Sequence, residues 1–460
     1  MSPYIFSRDG KKVPHVNTNN RIIKTTIPCD GTKAILETLD MYESRSMHGQ
    51  LPIIWDKATD FNVFDIKGNK FIDFTSSIFF SNVGHSNPRV TQVMSKMLDK
   101  PLLGCYSYGN EIRAKYLKKL IEFCGPGFEK AFLLSAGTEA TDAALKLMRL
   151  YGKKNKKRRL GIISLQGNWH GRTMGAQLMS GNQKQKEWIG FEDKDIHHLP
   201  FPYPWNLNDT TGEEFFEKHI NSLLKNGLDP KKDLCGFILE SFQGWGAIFY
   251  PSDFVKSVQK FCNINNIVFA FDEMQAGFGR TGKNFGFQHY DVTPDLICCG
   301  KGMGNGYPLS GVIGKSEIMD LPEIGNMSST HSANPMACAI GLAVLEEIEN
   351  KNLINETSRK GKILKDKLIS LKKASNGLIS YVLGEGLISA IIFTEKTKGI
   401  PESLTASIIS EKCYQQGLLV VHTGRESIKL GPPLTISDTA LLEGLEILFK
   451  TTLDTLNQNK

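Results

Sequence analysis

The sequence lacks any uninterrupted apolar stretch of about 18 residues, the length that a membrane-spanning helix needs. Its first 21 residues are polar with scattered charges and lack the apolar core of a signal peptide. The nine cysteines are scattered, and neither a CxxC pair nor a Cys/His spacing typical of a metal site is present. These absences predict a cytoplasmic protein with reduced thiols, no membrane span and no metal.

A large excess of one charge is also missing. The chain has 55 lysines and arginines against 48 aspartates and glutamates, a formal net charge of +7. This modest excess favours small anionic molecules slightly and predicts no nucleic-acid partner. The one dense basic run, residues 153–159, follows a helical pattern and precedes a strand, which is typical of a solvated connection.

What the sequence does contain is an alternation of short apolar runs and amphipathic helices. Because the runs are continuously apolar, they predict strands covered on both faces, in a mainly parallel α/β sheet. These runs are residues 131–134, 161–165, 235–239, 267–271 and 296–299.

The 460 residues are enough for two or more domains. We predict an N-terminal arm with small-domain strands at 1–72, a large α/β domain at 73–328 and a smaller α+β domain at 329–460.

A lysine stands where the last apolar run opens into a glycine-rich loop. Lys301 follows residues 296–299 and is surrounded by four glycines between positions 300 and 306. Burial lowers the pKa of a lysine, and an uncharged amine attacks a carbonyl to form a Schiff base. On this stretch alone, a solvated lysine at the start of a surface loop explains the pattern equally well.

Two further strand ends offer groups for a phosphate and a flat ring. Near Gly137 and Thr138 a strand breaks into a helix whose first N–H groups suit a phosphate, although a simple helix cap is the alternative. After the next strand, Trp169 suits a planar ring and Arg172 an anion. A core tryptophan beside a surface arginine is the alternative there.

Carboxylates end two more strands, and ligands of such sheets lie beyond the carboxyl ends. A buried Asp272 needs a partner, which a cationic ring nitrogen or a nearby arginine would supply. Glu240 ends another apolar run. Together with Lys301, these strand ends describe pyridoxal 5′-phosphate (PLP). A protonated pyridine opposite Asp272 acts as an electron sink, which makes deprotonation beside the bound amine possible.

At this point the sequence resembles the class III aminotransferases, fold-type I PLP enzymes that include 4-aminobutyrate, ornithine and acetylornithine aminotransferases. The resemblance runs from roughly residue 53 to residue 434. Its most specific parts are residues 271–282, Phe-Asp-Glu-Met-Gln-Ala-Gly-Phe-Gly-Arg-Thr-Gly, and residues 300–309, Gly-Lys-Gly-Met-Gly-Asn-Gly-Tyr-Pro-Leu. Residues 135–139, 169–173, 329–335 and 432–434 support it.

The resemblance implies a role for each matching position. Lys301 would hold the cofactor and, once displaced by the substrate amine, move a proton between substrate and cofactor. Asp272 would pair with the pyridine nitrogen, and both residues would be catalytic. Gln275 would lie near the ring hydroxyl, and Trp169 would stack on the ring. The other implied cofactor contacts are Ser135, Gly137, Thr138, Glu240 and Thr330.

The resemblance also implies an architecture. It is a fold-type I PLP transferase, with a large domain built on a mainly parallel, seven-stranded type of sheet covered by helices and a smaller α+β domain. Thr330 would reach the phosphate of the neighbouring subunit, so an obligate homodimer with shared active sites is expected.

The implied substrate residues include two departures from the family pattern. Trp245 stands where enzymes that use glutamate and 2-oxoglutarate have a glutamate, and Lys429 stands where they have its arginine partner. Lysine is a point charge and cannot form the bidentate fork, so we expect weak use of 2-oxoglutarate. Ile78 would line the pocket, Arg172 would hold a distal carboxylate, and Arg425 lies near but offset from the expected arginine.

The sequence therefore predicts a PLP-dependent aminotransferase. It would move an amino group from an amine or amino acid, ω-amino acids included, to an oxo acid by a ping-pong mechanism. The alternatives on the same scaffold are a racemase or epimerase, an aminomutase and a decarboxylating transaminase, which would use the same Lys301 and Asp272. A non-catalytic binding protein is a further alternative, against which the intact Lys301, Asp272 and Gln275 argue.

Overall fold

The computed structural model describes residues 4–47, 49–393 and 402–458. The chain forms two compact units. The terminal unit comprises the described residues of Met1–Pro88, Trp245–Ala247 and Asn355–Lys460, and the central unit comprises Arg89–Gly244 and Ile248–Ile354. The boundaries expected after residues 72 and 328 stay predictions. Within the described ranges, no helix is long and apolar enough to cross a membrane.

The strands are numbered in chain order. They are β1 Val16–Asn17, β2 Ile22–Ile23, β3 Trp55–Thr59, β4 Asn62–Asp65, β5 Lys70–Asp73, β6 Lys130–Leu134, β7 Gly161–Leu165, β8 Ile196–Leu199, β9 Leu234–Glu240, β10 Val268–Asp272, β11 Leu296–Cys299, β12 Ser310–Gly314, β13 Ile379–Glu385, β14 Ile388–Phe393, β15 Leu418–Leu419, β16 Val421–His422 and β17 Ser427–Leu430.

The helices are numbered in the same way. They are α1 Thr32–Tyr42, α2 Ser76–Phe79, α3 Pro88–Asp99, α4 Glu111–Cys124, α5 Gly137–Lys154, α6 Met174–Met179, α7 Gly212–Lys225, α8 Pro230–Asp233, α9 Ser252–Asn265, α10 Ser316–Met319, α11 Pro335–Asn350, α12 Leu353–Ala374, α13 Glu402–Gln415 and α14 Asp438–Gln458. Short 3₁₀ helices span Arg45–Met47, Gln183–Ile189, Gly286–Tyr290 and Lys301–Met303.

The central unit is built on a seven-stranded sheet with the order β6-β12-β11-β10-β9-β7-β8. Only β12 runs antiparallel to its neighbours β6 and β11, and the remaining pairs are parallel. Every residue of β7, β9, β10 and β11 is buried, as their continuously apolar sequence predicts. The predicted mainly parallel α/β sheet is confirmed, and the carboxyl ends of its parallel strands meet at one edge.

Helix α5 covers one face of this sheet. Its Ala140, Ala144 and Met148 belong to one buried cluster with Ile238 of β9 and Ala270 of β10. Small side chains on the helix let it lie close to the strands, so little apolar surface stays in water. Because α5 follows β6 almost directly, its first residues lie at the carboxyl edge of the sheet.

The sequence pattern does not predict two strands of the central sheet. The β8 sequence Ile-His-His-Leu is interrupted by polar side chains, and β12 contains two glycines. In β12 the glycines serve close packing: a Cβ on Gly311 would lie 2.8 Å from the carbonyl oxygen of Phe132, and one on Gly314 would lie 2.6 Å from that of Asp295. Glycine therefore marks backbone proximity here, although glycine-rich sequence is more typical of a loop.

The terminal unit contains two sheets. One has the order β1-β2-β5-β4-β3, with β15 added beside β5, and the other has the order β13-β14-β17-β16. The parallel pairing of β15 with β5 places Leu418 opposite Ile72, so both ends of the chain contribute to one sheet. Phe71, Tyr414 and Leu419 share its buried core.

Helix α2 is a left-handed turn. All four of its residues have positive φ angles, from +45° at Ser76 to +68° at Phe79. A left-handed turn of L-residues costs roughly 1–2 kcal/mol per residue. Hydrogen bonds hold it: Ser76 Oγ donates to the carbonyl of Gly431 at 2.6 Å, and Thr75 Oγ1 donates to Asp73 Oδ1 at 2.6 Å. Strain of this kind persists only where the surrounding structure over-determines it.

Candidate active site

A cavity of about 300 Å³ lies in the central unit, where the residues that follow β7, β9, β10 and β11 meet. Eight residues predicted from the sequence line it: Gly137, Thr138, Trp169, Arg172, Glu240, Asp272, Gln275 and Lys301. Strands that are far apart in the chain thus place their C-terminal polar residues around one cavity, because the carboxyl ends of parallel strands lie at the same edge of the sheet.

Lys301 follows β11 through a single glycine and has a φ of +45°. A Cβ on Gly300 would lie 2.6 Å from Met274 Sδ, so a larger residue between β11 and the lysine would require the methionine side chain to shift. Burial lowers the pKa of Lys301, while the nearby carboxylates of Asp272 and Glu240 act in the opposite direction. A lysine with a lowered pKa has a larger fraction of uncharged amine at neutral pH, and that form is the nucleophile.

Asp272 ends β10 and is 5% exposed. Its Oδ2 accepts a hydrogen bond from His170 Nδ1 at 2.9 Å, and its Oδ1 accepts one from the backbone N–H of Met274 at 3.0 Å. The second ring nitrogen of His170, Nε2, lies 3.3 Å from Ser164 Oγ on β7. The partner that a buried aspartate requires is therefore a histidine 102 positions away, which fixes the direction of the carboxylate.

Glu240 and Gln275 occupy neighbouring parts of the cavity. Glu240 Oε2 accepts a hydrogen bond from the backbone N–H of Trp169 at 3.0 Å, which ties the end of β9 to the loop after β7. A Cβ on Gly244 would lie 2.5 Å from Gln275 Nε2 and 2.9 Å from Glu240 Oε1. The glycine lets both side chains approach the backbone, so Gly244 shapes the cavity although it carries no chemical group.

The start of α5 forms an anion-binding corner. Gly137 and Thr138 are its first two residues, where N–H groups have no partner within the helix. Thr138 Oγ1 accepts the backbone N–H groups of Arg172 and Thr173, each at 3.1 Å, which joins the helix to the loop after β7. A Cβ on Gly137 would lie 2.7 Å from Met274 Sδ, so glycine lets the methionine side chain pack against the start of the helix. These groups suit a phosphate.

Arg172 lies over Trp169, with its guanidinium carbon 4.5 Å from the centre of the indole ring. Both residues line the same cavity as Lys301. A cation held over an aromatic face is stabilised without a carboxylate partner, so its hydrogen-bond donors can serve a ligand.

A third carboxylate, Glu273, follows the cavity residue Asp272 in the chain and is fully buried. It accepts hydrogen bonds from Ser241 Oγ at 2.5 Å and from the backbone N–H groups of Gly286 and Phe287, each at 2.8 Å. Burial raises the pKa of Glu273 to about 7 despite these donors, and the charge of Asp272 adds to the increase. Glu273 thus joins the loop after β9, the end of β10 and the start of the Gly286–Tyr290 helix.

Two predicted cofactor residues of the central unit do not line the cavity. Ser135 Oγ lies 3.2 Å from Ser332 Oγ, and the backbone N–H of Ser135 donates to Glu139 at 3.0 Å. Thr330 is exposed, five residues before α11 begins at Pro335.

The remaining predicted substrate residues belong to the terminal unit. Arg425 lies over Trp245 at 3.8 Å, and Lys429, only 4% exposed, lies over Phe79 at 4.3 Å. We call these four residues the aromatic cluster. Ile78, within the left-handed turn, is 44% exposed.

Sequence reasoning missed His170, Ser241, Phe242 and Met274 as cavity residues. The need of a buried Asp272 for a partner was a usable signal, and His170 stood within the motif that already supplied Trp169 and Arg172. The local pattern held no signal for Met274, which matters through the space it takes beside Gly137 and Gly300.

The residues present fit PLP. The start of α5 offers N–H groups for a phosphate, Asp272 offers a carboxylate for a pyridine nitrogen, and Lys301 offers an amine for a carbonyl. Trp169 supplies an aromatic face in the same cavity.

Comparisons with known proteins agree with this chemistry. The family model for class-III aminotransferases matches residues 43–452. A probable 4-aminobutyrate aminotransferase of Bacillus subtilis is 33% identical over 405 residues, which cover 85% of this chain and 91% of that protein. The ornithine aminotransferase of Saccharomyces cerevisiae is 31% identical over 430 residues, covering 91% and 97%.

The fold comparison gives the same result. The crystal structure of a Bacillus anthracis aminotransferase has a TM-score of 0.82 at 26% identity, covering 92% of this chain and 98% of that one. With its lysine at the end of β11 and its matching family model, the chain belongs to the class III aminotransferases, PLP-dependent enzymes that move an amino group from an amine or amino acid to an oxo acid.

Proposed function

We propose that this transaminase takes an ω-amino acid as its amino donor and that Lys301 is its catalytic lysine. The observation that carries the proposal is the presence of Arg172 in the same cavity as Lys301. An ω-amino acid carries an amine at one end and a carboxylate at the other. Lys301 and Arg172 supply one group for each end, and the guanidinium fork matches a carboxylate.

The roles of the cavity residues follow from their chemistry. PLP, when bound, supplies the electron sink that lets a proton leave the carbon beside the amino group. Lys301 Nζ would hold the cofactor, and its amine, once free, would take up and return that proton. The pKa of Lys301 is lowered by burial, which favours the proton-accepting form of the amine.

The other residues bind and orient. Asp272, whose Oδ2 lies 2.9 Å from His170 Nδ1, would present its carboxylate to the pyridine nitrogen. Gly137 and Thr138 would hold the phosphate at the start of α5, and the backbone N–H of Ser135 supports that segment by donating to Glu139. Trp169 would cover the ring face, Gln275 would lie by the ring hydroxyl, and Glu240 would lie beside the substrate. The family resemblance implies the roles of Trp169, Gln275 and Glu240, and all three residues line the cavity that contains Lys301.

The donor assignment is tested by the first half-reaction. Holoenzyme is mixed with 4-aminobutyrate or ornithine, without an oxo acid, and the absorbance of the bound cofactor is followed. We expect the aminated cofactor to accumulate in stoichiometric amount. A racemase would return the original spectrum, and lack of any spectral change with every ω-amino acid would contradict the proposal.

The acceptor follows from the aromatic cluster. Lys429, whose amine lies over Phe79, stands where the family resemblance implies an arginine fork for 2-oxoglutarate, and Trp245 stands where it implies the glutamate partner of that arginine. We therefore propose weak use of 2-oxoglutarate. The aminated enzyme is offered pyruvate and 2-oxoglutarate in parallel, and efficient turnover with 2-oxoglutarate would refute this part.

We propose that the enzyme is an obligate homodimer in which Thr330 completes the phosphate site of the neighbouring subunit. The exposed position of Thr330 supports this role. Mixed dimers of Lys301→Ala and Thr330→Asp subunits test it. If Thr330 acts in the partner, a random mixture recovers about a quarter of wild-type activity. No recovery from dimers that demonstrably exchange subunits means that Thr330 acts within its own subunit.

We propose the cytoplasm as the location. All nine cysteines are free thiols, and eight of them are buried. Such thiols persist in a reducing compartment. Protein isolated from acid-quenched cells should show nine reactive thiols per chain after unfolding, and a lower number would contradict the assignment.

A further inference from the structure

The left-handed turn α2 lies between the two ends of one buried hydrogen-bond network. Asp73, which ends β5, is fully buried, and its two carboxylate oxygens bind different segments. Oδ1 accepts from the backbone N–H and the hydroxyl of Thr75, at 2.7 and 2.6 Å, directly before the turn. Oδ2 accepts from His85 Nε2 at 2.7 Å, and His85 Nδ1 lies 3.2 Å from Ser81 Oγ, two residues after the turn. We call Asp73, His85 and Ser81 the Asp-His-Ser network.

The order of these three groups is that of a hydrolase triad, but their burial excludes that chemistry. Ser81 is only 2% exposed, so a substrate cannot reach its hydroxyl. Because a carboxylate only accepts hydrogen bonds, His85 Nε2 carries a hydrogen, and Nδ1 of a neutral ring then accepts from Ser81 Oγ. Trp55 lies edge-to-face against the imidazole, with the ring centres 5.7 Å apart. The network therefore serves to fix the segments that it joins.

The turn between these segments carries two side chains of the proposed substrate region. Ile78 is exposed, and Phe79 is buried, with the amine of Lys429 4.3 Å from the centre of its ring. A Cβ on Gly431 would overlap the same ring, so Phe79 packs directly against the backbone that follows β17. A change in the backbone of the turn would therefore move the ring away from Lys429.

We propose that Asp73 and His85 are positioning residues that hold the turn in its left-handed form for binding of the oxo acid. A left-handed turn without glycine persists only where its surroundings hold it, and the Asp-His-Ser network holds both of its ends from a single carboxylate. Hydrogen bonds to an ionised carboxylate are about twice as strong as neutral ones. This role rests on the proposed function, in which the aromatic cluster discriminates between oxo acids.

Hydrogen exchange of the turn tests the positioning role independently of any substrate. The backbone N–H groups of residues 79–81 donate to the carbonyls of Thr75 and Ser76, at 2.9 to 3.1 Å. These hydrogen bonds exist only while the turn keeps its conformation. Mass spectrometry of the peptide that contains residues 75–82, on holoenzyme without substrate, therefore measures how firmly the turn is held.

Two variants of His85 separate its hydrogen bonds from its volume. His85→Phe keeps a ring and loses both hydrogen bonds, so we expect at least tenfold faster exchange. His85→Gln retains a donor for Asp73 and should restore part of the protection. Ser81→Ala removes only the far hydrogen bond and covers the case in which His85→Phe unfolds. Its matched control is Ser410→Ala, which removes a buried hydrogen bond to the carbonyl of Ala406 at 2.8 Å in α13. Unchanged exchange in His85→Phe, or equal exchange in Ser81→Ala and Ser410→Ala, overturns the proposal.

Steady-state kinetics at saturating amino donor test the link to the oxo acid. Pyruvate and 2-oxoglutarate are compared, and the better acceptor of wild type is used. In His85→Phe we expect KM for that oxo acid to rise about tenfold, while the first half-reaction changes less than twofold, and His85→Gln should recover part of the loss. Faster exchange together with this rise in KM supports the proposal. Faster exchange with an unchanged KM overturns the role in oxo-acid binding and, with it, the discrimination proposed for the aromatic cluster, whereas unchanged exchange overturns the positioning role alone.

Discussion

Cations are held in two different ways in the two units of this molecule. In the cavity of the central unit, Lys301 meets the carboxylates of Asp272 and Glu240, and burial lowers its pKa. In the aromatic cluster of the terminal unit, Arg425 and Lys429 lie over indole and phenyl rings at 3.8 and 4.3 Å.

The two arrangements differ in what they allow a cation to do. Carboxylates and burial act on the protonation state of an amine, so the cavity suits a group that must lose and regain a proton. An aromatic face attracts a cation by only about 0.5–2 kcal/mol and leaves its proton in place, so the cluster suits recognition of a charge rather than its transfer. The proposed proton transfer rests on the first arrangement, and the proposed discrimination between oxo acids rests on the second.

The largest effect, a loss of kcat, is expected from removing Lys301, the lysine near the carboxylates of Asp272 and Glu240. Lys301→Ala deletes both the nucleophile and the proton carrier, so kcat should fall by about 10⁴ or more, the upper range for general acid–base catalysis. The absorbance band of the lysine-bound cofactor should disappear as well. Both are measured on purified holoenzyme by stopped-flow and static spectroscopy.

The matched control is Lys283→Ala, which removes an exposed lysine of the same unit. It should leave both the band and kcat unchanged. If Lys301→Ala keeps the absorbance band, another amine forms the Schiff base. The assignment of proton transfer to Lys301 would then be wrong.

The second prediction is that Glu273 makes the free energy of unfolding depend on pH. Its pKa of about 7 in the folded protein lies above the ordinary 4.5, so the folded state binds more protons in that window. Its contribution to stability is therefore present below pH 4.5 and is lost as pH rises to 7. At 1.36 kcal/mol per pKa unit, the change is about 3 kcal/mol.

Urea unfolding of wild type and Glu273→Gln across this pH range measures that change. The difference in stability between the two proteins should decrease by about 3 kcal/mol as the pH rises and then stay level. Glu217→Gln, an exposed carboxylate on α7, is the control for losing an acid without burial. A constant difference for Glu273→Gln would show that the buried carboxylate does not titrate in this window.

Much of the central cavity was predictable because its groups end apolar runs. Lys301, Asp272 and Glu240 each follow a run that reads as a buried strand, and parallel strands bring their ends together without further information. The pairing of Asp272 with His170 was not predictable in this way. It joins residues 102 positions apart, and no local pattern states which buried polar groups will meet.

The left-handed turn α2 is a stronger example of a feature that the local sequence does not predict. Its sequence, Ser-Ser-Ile-Phe, contains no glycine, so residue preferences argue against positive φ angles. What offsets the strain includes the hydrogen bond from Ser76 to Gly431, which lies 355 positions away. Because this conformation depends on such a distant contact, the local sequence of α2 does not predict it.

The third prediction, with a smaller expected effect, tests whether His170 orients the carboxylate of Asp272. His170→Ala removes a hydrogen bond to a buried carboxylate, worth about 1.5–3 kcal/mol for a charged group, so we expect roughly 30-fold weaker PLP retention. Retention is measured by fluorescence during dialysis. Ser164→Ala disturbs only the far nitrogen of the same imidazole, 3.3 Å away, and should cost less than threefold. Equal losses in both variants would mean that the contact of His170 with Ser164, rather than its hydrogen bond to Asp272, accounts for the effect.

The smallest effect is expected from substitutions in the aromatic cluster. They test whether this cluster determines the preference for pyruvate over 2-oxoglutarate. Trp245→Glu/Lys429→Arg replaces a ring and a point charge by a carboxylate and a guanidinium fork, the pair that the sequence resemblance associates with 2-oxoglutarate. We expect kcat/KM for 2-oxoglutarate to rise about tenfold relative to pyruvate, with the first half-reaction unchanged. Lys429→Arg alone leaves the indole in place and should give less than half of that gain in free energy. If the double variant instead slows the first half-reaction with the amino donor, the cluster takes part in the chemistry, and the division between proton transfer in the central unit and recognition in the aromatic cluster is wrong.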